Sequence, residues 1–247
     1  MWTVRLESAL LRVNLPAFAA DDKIYSFGGR YTGEDCIDRN PIEVHALGVR
    51  FLWWIPLQTE SNTGDVPFKM YGHTVVIFGD CVYLWGSRDD NEPYSTLYCF
   101  DTYTKMWTRP EVCSEVPWPR EGHSASVIDK RMFVFGGLEA DRFPQDVHSL
   151  DLESLQCQQL RTMGESPLWR CFHSASAIGD RTYVWGGRSG AQGPLHTHDE
   201  VCCNRLAYLD MVTANWVHPH ITGQVPEATR YLFTEESSTS SVATMGP

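Results

Sequence analysis

Between Ala125 and Leu160 the chain breaks into four short apolar runs, ASVIDK, RMFVFGG, VHSLDL and LQCQQL. Each is rich in β-branched and aromatic residues and is bounded by Asp, Gly, Pro or Asn. That is strand and turn chemistry, not the spacing of an amphipathic helix. The runs predict four consecutive antiparallel strands.

The pattern recurs along the chain. EGHSASVIDKRMFVFGG (121–137) and CFHSASAIGDRTYVWGG (171–187) agree at nine of seventeen positions. YGHTVVIFGDCVYLWGS (71–87) is a third copy, and RVNLPAFAADDKIYSFGG (12–29) a fourth. The glycine pair falls at Gly28-Gly29, Gly86-Ser87, Gly136-Gly137 and Gly186-Gly187. A histidine followed by Ser or Thr falls at His73, His123 and His173, with Leu15 in the first copy. A second constant pattern ends each unit at Trp54, Trp107, Cys157 and Trp216. Polar loops of variable length separate the two patterns.

A single four-stranded sheet cannot bury both faces, so neighbouring units must stack, and radial stacking gives a propeller. The glycines permit close approaches where each second strand ends. Each tryptophan is a large apolar plug between adjacent blades. The expected fold is all-β, with four-stranded blades at about 12–58, 70–112, 120–162 and 170–219, inside a propeller domain covering 1–230. Trp2 lies 52 residues before Trp54, so WTVRL reads as an orphan outer strand. The four blades would then belong to an incomplete, six-bladed ring. Residues 231–247 are Ser/Thr-rich, lack strand alternation and read as a disordered tail.

Composition narrows the function classes. Hydrophobic residues make up 43% of 247, enough for a substantial core, and the net charge of −11 opposes a nucleic-acid backbone as partner. The eight cysteines show no CxxC spacing and there is no N-x-[ST] sequon, so they read as reduced thiols. Arg5, Glu7, Arg12 and Asn14 interrupt the N-terminal apolar stretch, which argues against a signal peptide or membrane span. A cytoplasmic or nuclear location is expected.

Candidate chemistry is sparse. His196, His198, Asp199 and Cys202 offer mixed metal donors, but no second well-spaced pair accompanies them, and a plain surface loop is the better reading. No metal or other cofactor is expected. His73, His123 and His173 are equivalent by repetition, which points to structural hydrogen bonding. No Ser-His-Asp order or paired-carboxylate signature suggests an enzyme. Arg30, Arg88 and Arg188 follow the glycine corners, and with Ser87 could line a carboxylate site at the channel mouth. Alternatively they pair with loop acids such as Glu34, Asp89 and Asp199.

The glycine pairs, spaced aromatics and tryptophans at this period resemble the kelch repeat. SFGGR, YGHT, FHSA and the CNR before the fourth unit's third strand strengthen that resemblance. It implies a binding propeller. Relatives of this kind serve as substrate receptors of cullin-RING ubiquitin ligases, holding a target's free C-terminus, the degron, with propeller-mouth arginines. Those relatives reach the elongin and cullin adaptor through a helical box after the propeller, a box not found in this sequence, so adaptor coupling is doubtful. The competing expectations are a kelch scaffold for a folded chromatin or cytoskeletal partner, or a non-functional truncated isoform.

Overall fold

The computed structural model describes residues 12–31, 40–61, 66–89, 91–190, 193–195 and 200–226. The WTVRL strand, the tail at 231–247, and His196, His198, Asp199 and Glu34 lie outside these residues. All regular structure among the described residues is β.

Four antiparallel sheets follow one another in chain order, each running first, second, third, fourth strand without crossover. Blade 1 comprises Ala17–Ala20, Lys23–Phe27, Val44–Gly48 and Trp53–Leu57. Blade 2 comprises Thr74–Phe78, Cys81–Arg88, Pro93–Asp101 and Met106–Thr108. Blade 3 comprises Ser124–Ile128, Arg131–Phe135, Val147–Asp151 and Gln156–Leu160. Blade 4 comprises Ser174–Ile178, Arg181–Trp185, Ala207–Asp210 and Asn215–Val217. First strands of successive blades lie side by side, the arrangement of a propeller around its channel.

Each blade has its expected four strands, and inter-blade linkers extend two of them. Glu60–Ser61 adds a fifth, parallel strand to blade 2, with Ser61 opposite Trp107. Cys113–Ser114 does the same for blade 3, opposite Gln156 and Cys157. Met163 makes a parallel bridge to Asn215 at the matching place in blade 4. The linker leaving one blade thus caps the outer edge of the next, pairing backbone groups that would otherwise face water. Such two-residue strands carry no alternation and are invisible to a periodicity argument.

Three apolar seams hold the blades together. Phe27, Val44, Phe100 and Trp107 join blades 1 and 2. Trp85, Leu97, Met132, Val134 and Leu150 join blades 2 and 3. Phe135, Val184, Leu209 and Trp216 join blades 3 and 4. Each plug packs against the preceding blade: Trp107 meets Phe27 edge-on at 6.0 Å, and Trp216 lies 4.9 Å from Phe135. Cys157 fills the same place at the middle seam. Trp54 is half-buried, with no described blade ahead of it.

Near the channel the seams are polar. Backbone N–H groups of Gly72, Gly122 and Phe172 donate to the carbonyls of Asn14, Gly72 and Gly122, a relay from blade to blade. Beside it, the Thr74 hydroxyl and His123 Nε2 share a 2.7 Å hydrogen bond, and Ser124 and His173 share another of 2.7 Å. The glycine corners make this possible. A Cβ on Gly86 would sit 2.7 Å from the His123 ring, and one on Gly136 2.9 Å from the His173 ring.

The first seam is different because Pro16 stands where Thr74 and Ser124 stand, opposite the end of the second strand. Buried His73 has no side-chain hydrogen-bond partner across the seam, and its only hydrogen-bonding neighbour is the Phe27 backbone. A Pro16→Ser variant is expected to supply the missing hydroxyl and to stabilise the fold by about 1 kcal/mol, the net worth of such a bond. Paired urea denaturation curves of the variant and of Pro16→Ala test this, since alanine removes the ring without adding a hydroxyl.

Candidate functional site

The histidines are the first residues to place. Burial lowers the pKa of His73 and His173 to about 3, and holds His123 well below the ordinary range. All three are neutral at physiological pH, and two of them tie neighbouring blades together. They are poor acid–base groups and good interior connectors.

A second arginine set, three residues ahead of the histidine position, escaped the sequence reading. Arg12, Arg120 and Arg170 each donate to the carbonyl of their blade's corner glycine, Gly28, Gly136 and Gly186. Arg120 is 0% exposed and grips Asp146 through both carboxylate oxygens at 2.6 and 3.0 Å. Arg12 pairs with Glu43 at 2.6 Å. Arg170 also donates to the Leu168 carbonyl, and burial pulls its pKa down while Cys203 beside it acts in the opposite sense. Met70 occupies this place in blade 2. The signal was present as R-x-x-H at 120 and 170.

The relay residues border an open-sided cavity of about 400 Å³ at the channel, walled by Pro16, Gly72, Gly122, Phe172, Trp185 and Cys203 among others. Its wall is mixed, with the rings of Phe172 and Trp185 beside glycines, histidines and Ser174. The corner arginines are not among its lining residues, but each is held by a lining residue, Phe172, or by the residue next to one, Tyr71 or Glu121. The Arg30 guanidinium sits 5.5 Å over the Tyr71 ring. Arg88 donates to Glu121 Oε1 at 2.9 Å. The Arg188 guanidinium lies 5.1 Å over the Phe172 ring, and its Nε points at Cys171 Sγ, 3.4 Å away.

Two details depart from the sequence reading. Ser87 is 1% exposed, facing Tyr94 across the strand pair, and is not among the cavity's walls. Asp89 is not the carboxylate that pairs with Arg88. Its side chain accepts from the backbone N–H groups of Asn91 and Glu92 and from the Tyr94 hydroxyl. The acid that holds Arg88 belongs to the next blade, a contact between residues 33 apart that no local pattern exposes.

Among the described residues no group of three His, Cys, Asp or Glu side chains is placed to hold a metal ion. No helix among them is long and apolar enough to cross a membrane.

Stacked four-stranded blades, corner glycines, seam tryptophans and a concave channel mouth define a kelch β-propeller, a protein-binding fold. The KLHDC2/KLHL20/DRC7 Kelch-repeats domain matches residues 72–239, and the chain belongs to that kelch-repeat family. It is similar to Kelch domain-containing protein 3 of Bos taurus, Mus musculus and Homo sapiens, with 40% identity over 117 residues in each case. The matched stretch is 45% of this chain and 31% of the length of those relatives.

Proposed function

We propose that this propeller is a receptor for the free C-termini of other proteins, of the kind that selects substrates for a cullin-RING ubiquitin ligase. The observation that supports the reading is the concave cavity, with Arg188 packed on Phe172 of its wall and Arg30 and Arg88 held by Tyr71 and Glu121, the residues next to Gly72 and Gly122 of that wall. A chain end offers one carboxylate and a short run of peptide groups. Guanidinium groups suit the carboxylate, and the rings of the cavity suit the apolar parts of a short peptide. Binding, rather than catalysis, is what such a wall supports.

The test is a titration with a fluorescent peptide ending in glycine, as the acid and as the amide. Arg188→Ala and Arg88→Ala are expected to weaken binding of the acid by roughly 1.5–3 kcal/mol, the range for a hydrogen bond to a charged group. The amide should bind the variants and the wild type alike. Equal binding of acid and amide by the wild type would overturn the reading.

One observation favours a second reading, a scaffold for a folded partner. The third hairpin of blade 1 exposes Phe51 at 81%, Leu52 at 70% and Trp53 at 70%, a grouping that suits a protein surface. Partner binding that survives C-terminal amidation would support it.

A further inference from the structure

We propose that His73 is a ligand-contacting residue, its Nε2 accepting a hydrogen bond from a peptide N–H of a chain end seated in the cavity. The inference deepens the receptor reading and rests on it for the ligand. It starts from three equivalent histidines that are not equivalently used. His123 has the Trp85 backbone as one hydrogen-bonding neighbour and the Thr74 hydroxyl at Nε2, and His173 has the Ser124 hydroxyl at Nε2. His73 has the matching backbone neighbour, Phe27, but Pro16 stands at the place of the hydroxyl. A proline side chain has no group to offer.

The unused nitrogen belongs to a residue of the cavity wall. His73 lines the cavity together with Asn14, Leu15 and Pro16, at the entry to blade 1. The residue is 5% exposed, so a ligand reaches it by entering the cavity it borders. Buried polar atoms are as a rule hydrogen-bonded, and one that is not calls for a partner from outside the chain. Chemistry selects that partner. Burial lowers the His73 pKa to about 3, so the ring is neutral at physiological pH. The Phe27 contact favours the protonated ring, and is therefore a bond that the ring donates to the Phe27 carbonyl. Equivalence with His123 assigns that donor to Nδ1 and leaves Nε2 as a bare acceptor. A bare acceptor suits an N–H and repels a carboxylate oxygen. His73 thus reads the peptide groups that precede the terminal carboxylate, and the carboxylate itself is left to the arginines.

The experiment lets the chain satisfy His73 by itself. Pro16→Ser places a hydroxyl where Thr74 and Ser124 have theirs, while Pro16→Ala trims the same part of the wall without adding one. Two quantities are measured in the full chain: affinity for the glycine-ended acid peptide, and the His73 ring nitrogens by NMR, assigned by their loss in His73→Phe. Pro16→Ser is expected to bind the peptide about fivefold more weakly than Pro16→Ala, the worth of one neutral hydrogen bond. In the wild type the Nε2 resonance should begin at the position of an unprotonated, unbonded nitrogen and move upfield as peptide is added. In Pro16→Ser it should begin displaced and move little. Equal affinities of the Ser and Ala variants would overturn the contact, as would an Nε2 resonance that peptide never moves. If the wild type binds acid and amide peptides alike, the carboxylate reading fails. The Ser–Ala comparison still decides the role of His73 in that case, because both peptides carry the N–H groups it would meet.

Discussion

Replacing Arg120 by alanine is expected to cost about 3–5 kcal/mol of folding stability, the usual result of breaking one partner out of a buried ion pair. Arg120 is fully buried, donating to the Trp118 and Gly136 carbonyls as well as to both oxygens of Asp146. Alanine would leave Asp146 with only the His148 ring 2.9 Å away. Burial pushes the Asp146 carboxyl up, but hydrogen bonds from His148 and Arg120 outweigh it and hold the group well below its ordinary range. A depressed carboxyl contributes stability above its unfolded pKa and loses it as pH falls. The Arg120→Ala penalty, read from urea denaturation, should therefore be largest near neutral pH and shrink on acidification. Blade 2 shows an uncharged solution at the same corner, with buried Met70 and with Thr96 at the place of Asp146 by strand register. The double variant Arg120→Met/Asp146→Thr should accordingly recover most of the loss. A single variant that melts like the wild type would show that the pair is not holding the blade.

What the sequence made legible was whatever repeats with a local chemical reason. The corner glycines could be read because Gly86 and Gly136 each face a histidine ring of the next blade, and the histidines because their equivalence spoke for a structural role. The blade order followed from alternation in runs such as RMFVFGG. Contacts between blades were not legible, since they join residues about fifty positions apart through space. The Arg88–Glu121 pair and the Thr74–His123 bond are of this kind. Ser87 looked like a donor because it replaces a glycine at a corner, yet its strand position turns it inward. The fifth strands failed for another reason: two residues such as Glu60–Ser61 carry no periodicity, and only the neighbouring Met106–Thr108 edge makes them a strand. The left-handed backbone of Phe172 is hidden in sequence because the matching residues are glycines and asparagine, which tolerate it silently.

The other large effect is expected at the first apolar seam, where Trp107→Ala should destabilise the fold by about 3–5 kcal/mol. Trp107 is 0% exposed, with Phe27 of the preceding blade at 6.0 Å and Phe100 of its own at 4.9 Å. Its indole Nε1 makes no hydrogen bond, so its contribution comes from apolar burial and ring packing. Alanine would open a void between two sheets, and sheets paired by many backbone bonds cannot close it by shifting one side chain. Trp107→Phe keeps most of the volume and should lose only about 1–2 kcal/mol, within the range for trimming a buried side chain. Trp53→Ala, on the exposed face of blade 1's outer strand, should change stability by less than about 0.5 kcal/mol. The ordering is the decisive feature. If exposed Trp53 and buried Trp107 cost the same in denaturant, blades 1 and 2 do not pack through this seam, and the repeated tryptophan is not a plug between blades.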